Sequence, residues 1–158
     1  MDEELAADSR KCAVLVCRSC ARLCRLMNSV LARTGLNLPQ CQLLTVLKES
    51  GEITMSELSK RLGVTMGAGT SLVDKVLEAG MVERRRDETD RRLVKVKLTT
   101  EGSNALDRDM ANLTEFWSGV LDQVDPQERL SFFESYNKLL TLAECVSIEK
   151  EGDSSSPA

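Results

Sequence analysis

Apolar residues in the middle of the chain repeat at the spacing of short helices. Leu58 and Leu62 are four residues apart, so they share one helical face. Thr54 and Glu57 form a Thr-x-x-Glu capping box that begins this helix, and Gly63 ends it. The pattern therefore predicts a short helix that is bounded at both ends by its own sequence.

A second helix follows at once and has Thr65 as its predicted N-cap. Four apolar residues repeat at helical spacing before Gly80 ends it: Leu72, Val73, Val76 and Leu77. Two short helices joined by a tight turn that contains glycine predict a helix-turn-helix. The second helix of that motif can enter the major groove of DNA.

Residues 81–86 and 93–98 have the pattern of a β-hairpin around the turn-rich residues 87–90. The second strand alternates strictly, with Val94, Val96 and Leu98 on one face and two lysines on the other. A hairpin directly after a helix-turn-helix predicts a winged helix. The expected fold is mainly α with a small β-hairpin wing.

Further helices and one further strand are expected around this motif. The first helix is predicted from about Glu4 to Arg33, and the next begins at the cap Asn37-Leu38-Pro39-Gln40. Ile53 is expected to add a short strand beside the hairpin. Thr99 and Asp125 are the predicted N-caps of two more helices.

The terminal helices carry apolar residues that the winged helix cannot cover. The helix after Thr99 has a narrow seam with alternating spacings of four and three, which suits a partner helix. The seam residues are Leu106, Met110, Leu113, Trp117, Val120 and Val124. The apolar side of the last helix is formed by Leu130, Phe133, Leu140 and Ala143.

This excess of apolar surface predicts a two-fold dimer with intertwined ends. Such a dimer would place two recognition helices about one DNA turn apart, matching a pseudo-palindromic operator. The alternative is a monomer whose long helices pack on each other. We expect a dimerisation helix in residues 1–35, a winged helix in 36–102, dimerisation helices in 103–148 and a disordered tail in 149–158.

Composition narrows the class of function. The 158 residues contain no histidine. This excludes catalysis by a histidine base or by Ser-His and Cys-His nucleophile pairs, and it excludes histidine-ligated zinc. An enzyme is therefore not expected. No apolar run approaches the roughly 20 residues that span a bilayer, and the acidic N-terminus is unlike a secretory signal. A cytoplasmic location without a membrane partner is predicted.

Charge is segregated along the chain although the net charge is −4. Every charged residue from Lys11 to Arg33 is basic, the hairpin contains five arginines, and both termini are acidic. Local basic patches can contact phosphates in a chain that is acidic overall. The negative total predicts weak non-specific affinity that falls quickly with salt.

The central segment resembles the MarR family of transcription regulators, and the match is densest from Leu36 to Gly102. The matching stretches are Leu38-Pro39-Gln40, Ser56-Glu57-Leu58, Leu62-Gly63-Val64, Leu72-Val73-Asp74-Lys75, Glu78-Ala79-Gly80-Met81-Val82-Glu83-Arg84, Asp90-Arg91-Arg92 and Leu98-Thr99-Thr100-Glu101-Gly102. The resemblance implies a dimer whose first and last helices form the interface, with one wing per subunit. It also implies double-stranded DNA as the partner.

Asp90-Arg91-Arg92 matches the Asp-x-Arg wing signature of that family. The resemblance implies that Asp90 orients Arg92, which enters the minor groove. A narrow minor groove concentrates negative potential, and a carboxylate that holds an arginine reduces the entropy lost on insertion. The alternative is a solvated charged turn. The predicted DNA-contacting residues are Thr65, Met66, Thr70, Ser71, Lys75, Arg84, Arg86, Asp90, Arg91 and Arg92.

The predicted recognition helix departs from the family pattern, because its first turns read Met66-Gly67-Ala68-Gly69-Thr70-Ser71. It has no arginine for a bidentate contact to guanine. Each glycine costs about 1 kcal/mol of helix stability relative to alanine. A close backbone approach to DNA would compensate for that loss; otherwise the first turn is loose in the free protein. We expect modest contacts from Thr70 and Ser71, a thymine methyl against Met66, and much of the affinity from the wing.

Six cysteines allow three interpretations. Cys17, Cys20 and Cys24 share a helical face, and the first interpretation is that they are small hydrophobes in a helix interface. The second is a redox switch: nearby arginines could stabilise a thiolate, although they point to a different sector of the helix. The MarR family includes peroxide sensors with a reactive cysteine in the first helix. The third is a thiolate-bound metal or an iron–sulfur cluster. Cys12 cannot share one ion with Cys24, because an intact helix separates them by about 18 Å.

The leading hypothesis is a dimeric DNA-binding regulator. It would be a repressor that is released from DNA by a small-molecule effector or by cysteine chemistry. Members of the resembled family often bind aromatic acids between the dimerisation and DNA-binding parts. The alternative is a winged-helix protein-interaction module that has lost sequence-specific DNA binding. The recognition helix without arginine favours the alternative, and the Asp90-Arg92 wing opposes it.

Overall fold

The computed structural model of the chain describes residues 3–32, 35–86 and 93–153. Its helices and strands are α1 (Glu3–Leu31), α2 (Leu38–Ser50), β1 (Ile53–Thr54), α3 (Met55–Arg61), α4 (Met66–Glu78), β2 (Val82–Arg86), β3 (Val94–Leu98), α5 (Thr100–Leu121) and α6 (Pro126–Asp153). The chain divides into two compact units, residues 1–115 and 116–158. The predicted fold class, mainly α with a small wing, is confirmed.

Local hydrogen bonds explain where the helices of the first unit begin. Asn37 and Gln40 form a complete capping box at α2, in which each side chain accepts from the other residue's backbone N–H, at 3.0 and 2.9 Å. At α3 the Thr54 hydroxyl accepts from the Glu57 N–H at 3.2 Å. The Glu57 carboxylate, however, accepts from Arg61 Nε at 2.8 Å, so the predicted Thr54–Glu57 box forms only in half.

Thr99 explains how the end of the hairpin is joined to α5. Its hydroxyl accepts from the Gly102 N–H at 3.0 Å, which caps the helix, and it donates to the Gly80 carbonyl at 2.8 Å. Its own N–H donates to the Met81 carbonyl at 3.1 Å. A Cβ on Gly102 would lie 1.9 Å from that Met81 oxygen. Glycine is therefore required where the helix begins against the backbone that enters β2.

The sheet is antiparallel, in the order β1-β3-β2. Ile53 pairs with Val96, which confirms the predicted third strand. The side chains of Val82 and Val96 are buried, whereas Val94 is 38% exposed, so only the part of the apolar face nearest the helices enters the core.

One apolar core connects the end of α1 with α2, α3, α4, the sheet and the beginning of α5. Its most deeply buried side chains are Leu31, Leu43, Leu44, Leu47, Leu58, Val73, Val76, Val96 and Leu106. Asp109 is also fully buried, on α5. This core fixes α4 and β2 relative to each other.

The remaining apolar surface of α1 is exposed. Met27 and Leu31 are buried, but Leu15, Val16 and Leu23 are 66%, 45% and 42% exposed. The helix ends at Leu31, slightly before the predicted end at Arg33, which lies outside the described residues.

The second unit contains the end of α5 and all of α6. The rings of Phe132 and Tyr136 stack with centroids 5.8 Å apart, yet both remain about half exposed. Val124 of the predicted seam lies beyond Leu121, where α5 ends. Helix α6 extends to Asp153, into the segment predicted as a disordered tail, because the Glu-Lys-Glu sequence after residue 148 favours helix. In the described part of the chain, no helix has the length and apolar content needed to cross a bilayer.

Candidate nucleic-acid interface

Helix α4 is held at its beginning by the predicted cap. The Thr65 hydroxyl accepts from the Ala68 N–H at 3.3 Å, and Val73 and Val76 anchor the inner face in the core. Ser71 and Lys75 are exposed on the outer face. The helix therefore presents a polar outer surface from a rigid base, as a recognition helix must.

The two glycines of α4 differ in their surroundings. A Cβ on Gly69 would lie 2.3 Å from Ser59 Oγ and 3.3 Å from Ser59 Cβ, so this glycine lets α4 approach α3 closely. A Cβ on Gly67 would meet nothing within 4 Å. For Gly69, close packing against α3 compensates for the low helix propensity of glycine, without DNA or a loose first turn. Gly67 has no such packing role in the described chain.

The other predicted contact residues of α4 are partly engaged within the protein. The Thr70 hydroxyl donates to the Met66 carbonyl at 2.9 Å, which leaves its oxygen as an acceptor only. The Ser59 hydroxyl lies 3.8 Å from Met66 Sδ, while the Met66 side chain remains 49% exposed. Met66 is thus an apolar, accessible residue at the start of the helix.

The three arginines of β2 are not equivalent. Arg84 Nη2 lies 2.5 Å from Asp74 Oδ1 on α4, and Arg85 Nη2 lies 2.7 Å from Glu83 Oε1. Arg86 forms no ion pair with any residue that the structure describes. No local sequence pattern indicates the Asp74–Arg84 pair, because the two residues are ten apart on different elements.

Asp90, Arg91 and Arg92 lie outside the described residues, so the role of this wing signature stays a prediction. Strands β2 and β3 do lead into the segment that contains them, and their register pairs Arg86 with Val94. The described part of the interface therefore consists of α4 and the β2 arginines.

A cavity of about 390 Å³ lies between α2, α3 and α5. Its wall combines apolar residues with a few polar groups. Because these residues come from different helices, no local sequence motif indicates the cavity. The lining residues are Leu38, Cys41, Gln42, Thr45, Val46, Arg61, Leu62, Met110 and Leu113. The Arg61 guanidinium donates to Glu57 and, at 2.6 Å, to Ser50 Oγ.

The cysteines fall into two environments. Cys41 is buried, and burial raises the pKa of its thiol, with a further contribution from the negative charge of Asp109. Cys17, Cys20 and Cys24 are exposed free thiols on α1. Within residues 3–32, 35–86 and 93–153 no group of three metal-ligating side chains is assembled. Each interpretation of the α1 cysteines stays a prediction.

Comparison with known proteins agrees with this architecture. The MarR family profile matches residues 34–93. The HTH-type regulator YdgJ of Bacillus subtilis, itself uncharacterised, is 32% identical over 98 residues, which cover 62% of this chain and 60% of YdgJ. This chain thus spans less than two thirds of that relative.

Two solved structures are similar over more of the chain. A mutant of Escherichia coli MarR in complex with operator DNA superposes with a TM-score of 0.71 at 26% identity, covering 81% of this chain and 92% of that one. BldR from Sulfolobus solfataricus, a transcriptional regulator, has a TM-score of 0.73 at 27% identity, with coverages of 89% and 99%.

The fold, and the sequence of residues 34–93, thus resemble the winged-helix transcriptional regulators of the MarR family. YdgJ and BldR are both described as transcriptional regulators.

Proposed function

We propose that this chain is a dimeric regulator that binds a pseudo-palindromic operator and represses transcription. The observation that carries the proposal is the fixed geometry of α4 and β2: an accessible polar helix face beside an arginine-bearing strand. The MarR structure from E. coli, similar in fold, is a complex with operator DNA. A cytoplasmic location is part of the proposal, as are the roles of residues 1–35 and 103–148 in dimerisation.

The dimer is supported by the apolar surface that the single chain leaves exposed. Monomeric proteins rarely expose contiguous apolar patches larger than a few hundred Å². On α6, seven large apolar side chains between residues 130 and 142 are between 44% and 57% exposed. They are Leu130, Phe132, Phe133, Tyr136, Leu139, Leu140 and Leu142, with Val146 one turn further. A second copy that covers these residues would remove this surface from water.

Duplex binding is tested by measuring affinity for selected DNA over a salt gradient. Arg86→Ala and Arg92→Ala should each weaken binding and reduce the salt dependence, because each removes a cation from the proposed backbone contact. Lys138→Ala removes an equal charge from exposed α6 and should leave binding unchanged. Absence of wild-type binding at low salt would refute the proposal.

The dimer is tested separately by sedimentation equilibrium. Leu139→Glu places a charge at an apolar position of α6 that is 50% exposed, and it should shift the proposed dimer towards monomer. Lys138→Ala, at the neighbouring polar position, should leave the association unchanged. A wild-type chain that is monomeric at micromolar concentration would contradict the proposed assembly.

The effector is proposed to be a small organic acid bound in the cavity between α2, α3 and α5. An anionic group would compete with Glu57 for the Arg61 guanidinium, while the ring or chain would lie against Leu62, Met110 and Leu113. Benzoate is a suitable probe. It should raise the melting temperature of wild type more than that of Arg61→Gln, and equal shifts would exclude this site.

Cysteine chemistry is the alternative release mechanism, supported by the exposure of Cys17, Cys20 and Cys24. Treatment with peroxide should then reduce DNA affinity, and reductant should restore it. A triple Cys→Ser variant should not respond. Equal responses of the variant and the wild type would exclude these thiols.

A second candidate function is a protein-interaction module without specific DNA binding. Asp74 and Glu78 outnumber Lys75, the single cation of α4, which favours this class. Tighter binding of the wild type to a selected duplex than to a random one, weakened in Arg92→Ala, would decide against it.

A further inference from the structure

The ion pair between Asp74 and Arg84 connects the two elements of the proposed DNA interface. The carboxylate is on α4 and the guanidinium is on β2, with 2.5 Å between Oδ1 and Nη2. The two side chains are 47% and 32% exposed, so they lie at the surface and not in the core. The contact is a charge-assisted hydrogen bond between two accessible side chains.

Asp74 lies on the outward side of α4. It is three residues after Ser71 and seven after Gly67, so all three share a helical face. The buried residues Gly69, Val73 and Val76 lie on the opposite side. The carboxylate is therefore on the side of the recognition helix that would face a DNA duplex.

Arg84 lies at the edge of the same surface. In the sheet it is directly opposite the buried Val96, so its side chain leaves the sheet on the face that packs against the helices. Arg85 points to the other face and pairs with Glu83. Among the β2 arginines, Arg84 both faces α4 and forms an ion pair with a residue of that helix. Asp74 thus neutralises the positive charge of Arg84.

We propose that Asp74 is a specificity-determining residue, which lowers sequence-independent DNA binding by neutralising Arg84. The inference rests on the proposed function. Backbone binding depends on how many phosphates the protein neutralises, and it carries no sequence information. A carboxylate that occupies Arg84 removes one such contact, so a larger share of the affinity comes from base contacts.

The test compares wild type with Asp74→Asn on a random duplex and on a duplex selected for wild-type binding. The amide keeps the shape but releases Arg84 to a phosphate. The salt dependence, d log K/d log[salt], should become more negative by about 0.9 for each Arg84 that contacts a phosphate. Affinity for the random duplex should rise several-fold at low salt, and the ratio of selected to random affinity should fall.

Two further variants isolate the pair. Asp74→Asn/Arg84→Gln should return the salt dependence to the wild-type value, because the released cation is gone. Glu83→Gln removes the same charge from the other face of the sheet and should leave the ratio of the two affinities unchanged. Thermal unfolding of each variant checks that the fold is intact.

The outcomes separate this inference from the proposed function. If wild type binds duplex DNA but Asp74→Asn has the same or a weaker salt dependence, the role of Asp74 is refuted while the regulator proposal stands. If Glu83→Gln lowers the ratio as much as Asp74→Asn, general charge and not this pair is responsible. If neither wild type nor Asp74→Asn binds at low salt, both proposals are refuted.

Discussion

The winged-helix core and the terminal helices use apolar residues in opposite ways. In the core, Leu44 and Leu106 are 0% and 2% exposed. On α6, Leu139 and Phe132 are 50% and 57% exposed, although both are large apolar side chains. The core is thus complete within one chain, whereas the ends carry surface that a single chain leaves in water. Two predictions test that difference and two more test contacts inside the winged helix, in order from the largest expected effect to the smallest.

The largest expected effect is the difference in stability between truncating a leucine in the core and truncating one on α6. Leu44→Ala should lower the free energy of unfolding by about 2–5 kcal/mol, because the fully buried side chain leaves a cavity. Leu139→Ala should change it by less than about 0.5 kcal/mol in dilute protein, as surface substitutions do. Urea denaturation at several protein concentrations measures both. A loss of stability in Leu139→Ala that grows with protein concentration would reveal a second copy that covers this residue. If Leu44→Ala and Leu139→Ala lost equal stability at every concentration, the difference between the two regions would be contradicted.

Two glycines on α5 should respond oppositely to alanine. Gly102→Ala places a Cβ 1.9 Å from the Met81 carbonyl oxygen. It should destabilise the protein by about 1–3 kcal/mol or more, because the backbone fixes the positions of both atoms. Gly119→Ala meets nothing within 4 Å and should stabilise by up to about 1 kcal/mol. Thermal unfolding of the pair decides. A stable Gly102→Ala variant would refute the close contact at the start of α5.

The same contrast occurs at smaller scale within α4. Gly67→Ala should stabilise by about 1 kcal/mol, because the site is open and alanine favours helix. Gly69→Ala should be less stable than Gly67→Ala, because the new methyl group meets Ser59 Oγ at 2.3 Å. Adding Ser59→Ala to Gly69→Ala should recover part of the loss. Chemical denaturation of the four proteins measures this, and identical values for the two glycine variants would remove the packing role of Gly69.

The smallest effect is expected from the exposed Glu57–Arg61 pair. The hydrogen bond from Arg61 lowers the pKa of the Glu57 carboxyl, so the ionised form is favoured in the folded state. Its contribution is therefore present above the pKa of the unfolded chain and is lost as pH falls through the lowered folded-state pKa. Urea denaturation of wild type and Glu57→Gln should show a small difference at pH 7 that disappears in acid. A difference that grows in acid would contradict the sign.

Much of the winged helix could be predicted because its signals are local. Helix caps involve residues three apart, and strand alternation is visible within six residues, so Asn37, Thr65 and Thr99 marked the helix starts correctly. The Thr54–Glu57 box was only half right, since Arg61, one turn further along the helix, attracts the same carboxylate. Local patterns cannot rank such competing partners.

The candidate site was less predictable, because its details depend on contacts between elements. Nothing near Asp74 in the sequence indicates that Arg84 neutralises it, and the cavity walls come from separate helices. The reason for Gly69 lies in Ser59 on the preceding helix. The wing residues Asp90 and Arg92 lie outside the described residues, so their part rests on sequence alone.

The sequence by itself determined which elements form, in which order, and where most of them begin, because capping and periodicity act over a few residues. The tertiary structure decided which glycine is a packing contact, which arginine is neutralised and which apolar residues are buried. These outcomes depend on distances between residues that are far apart in the chain, and only the packed core fixes those distances.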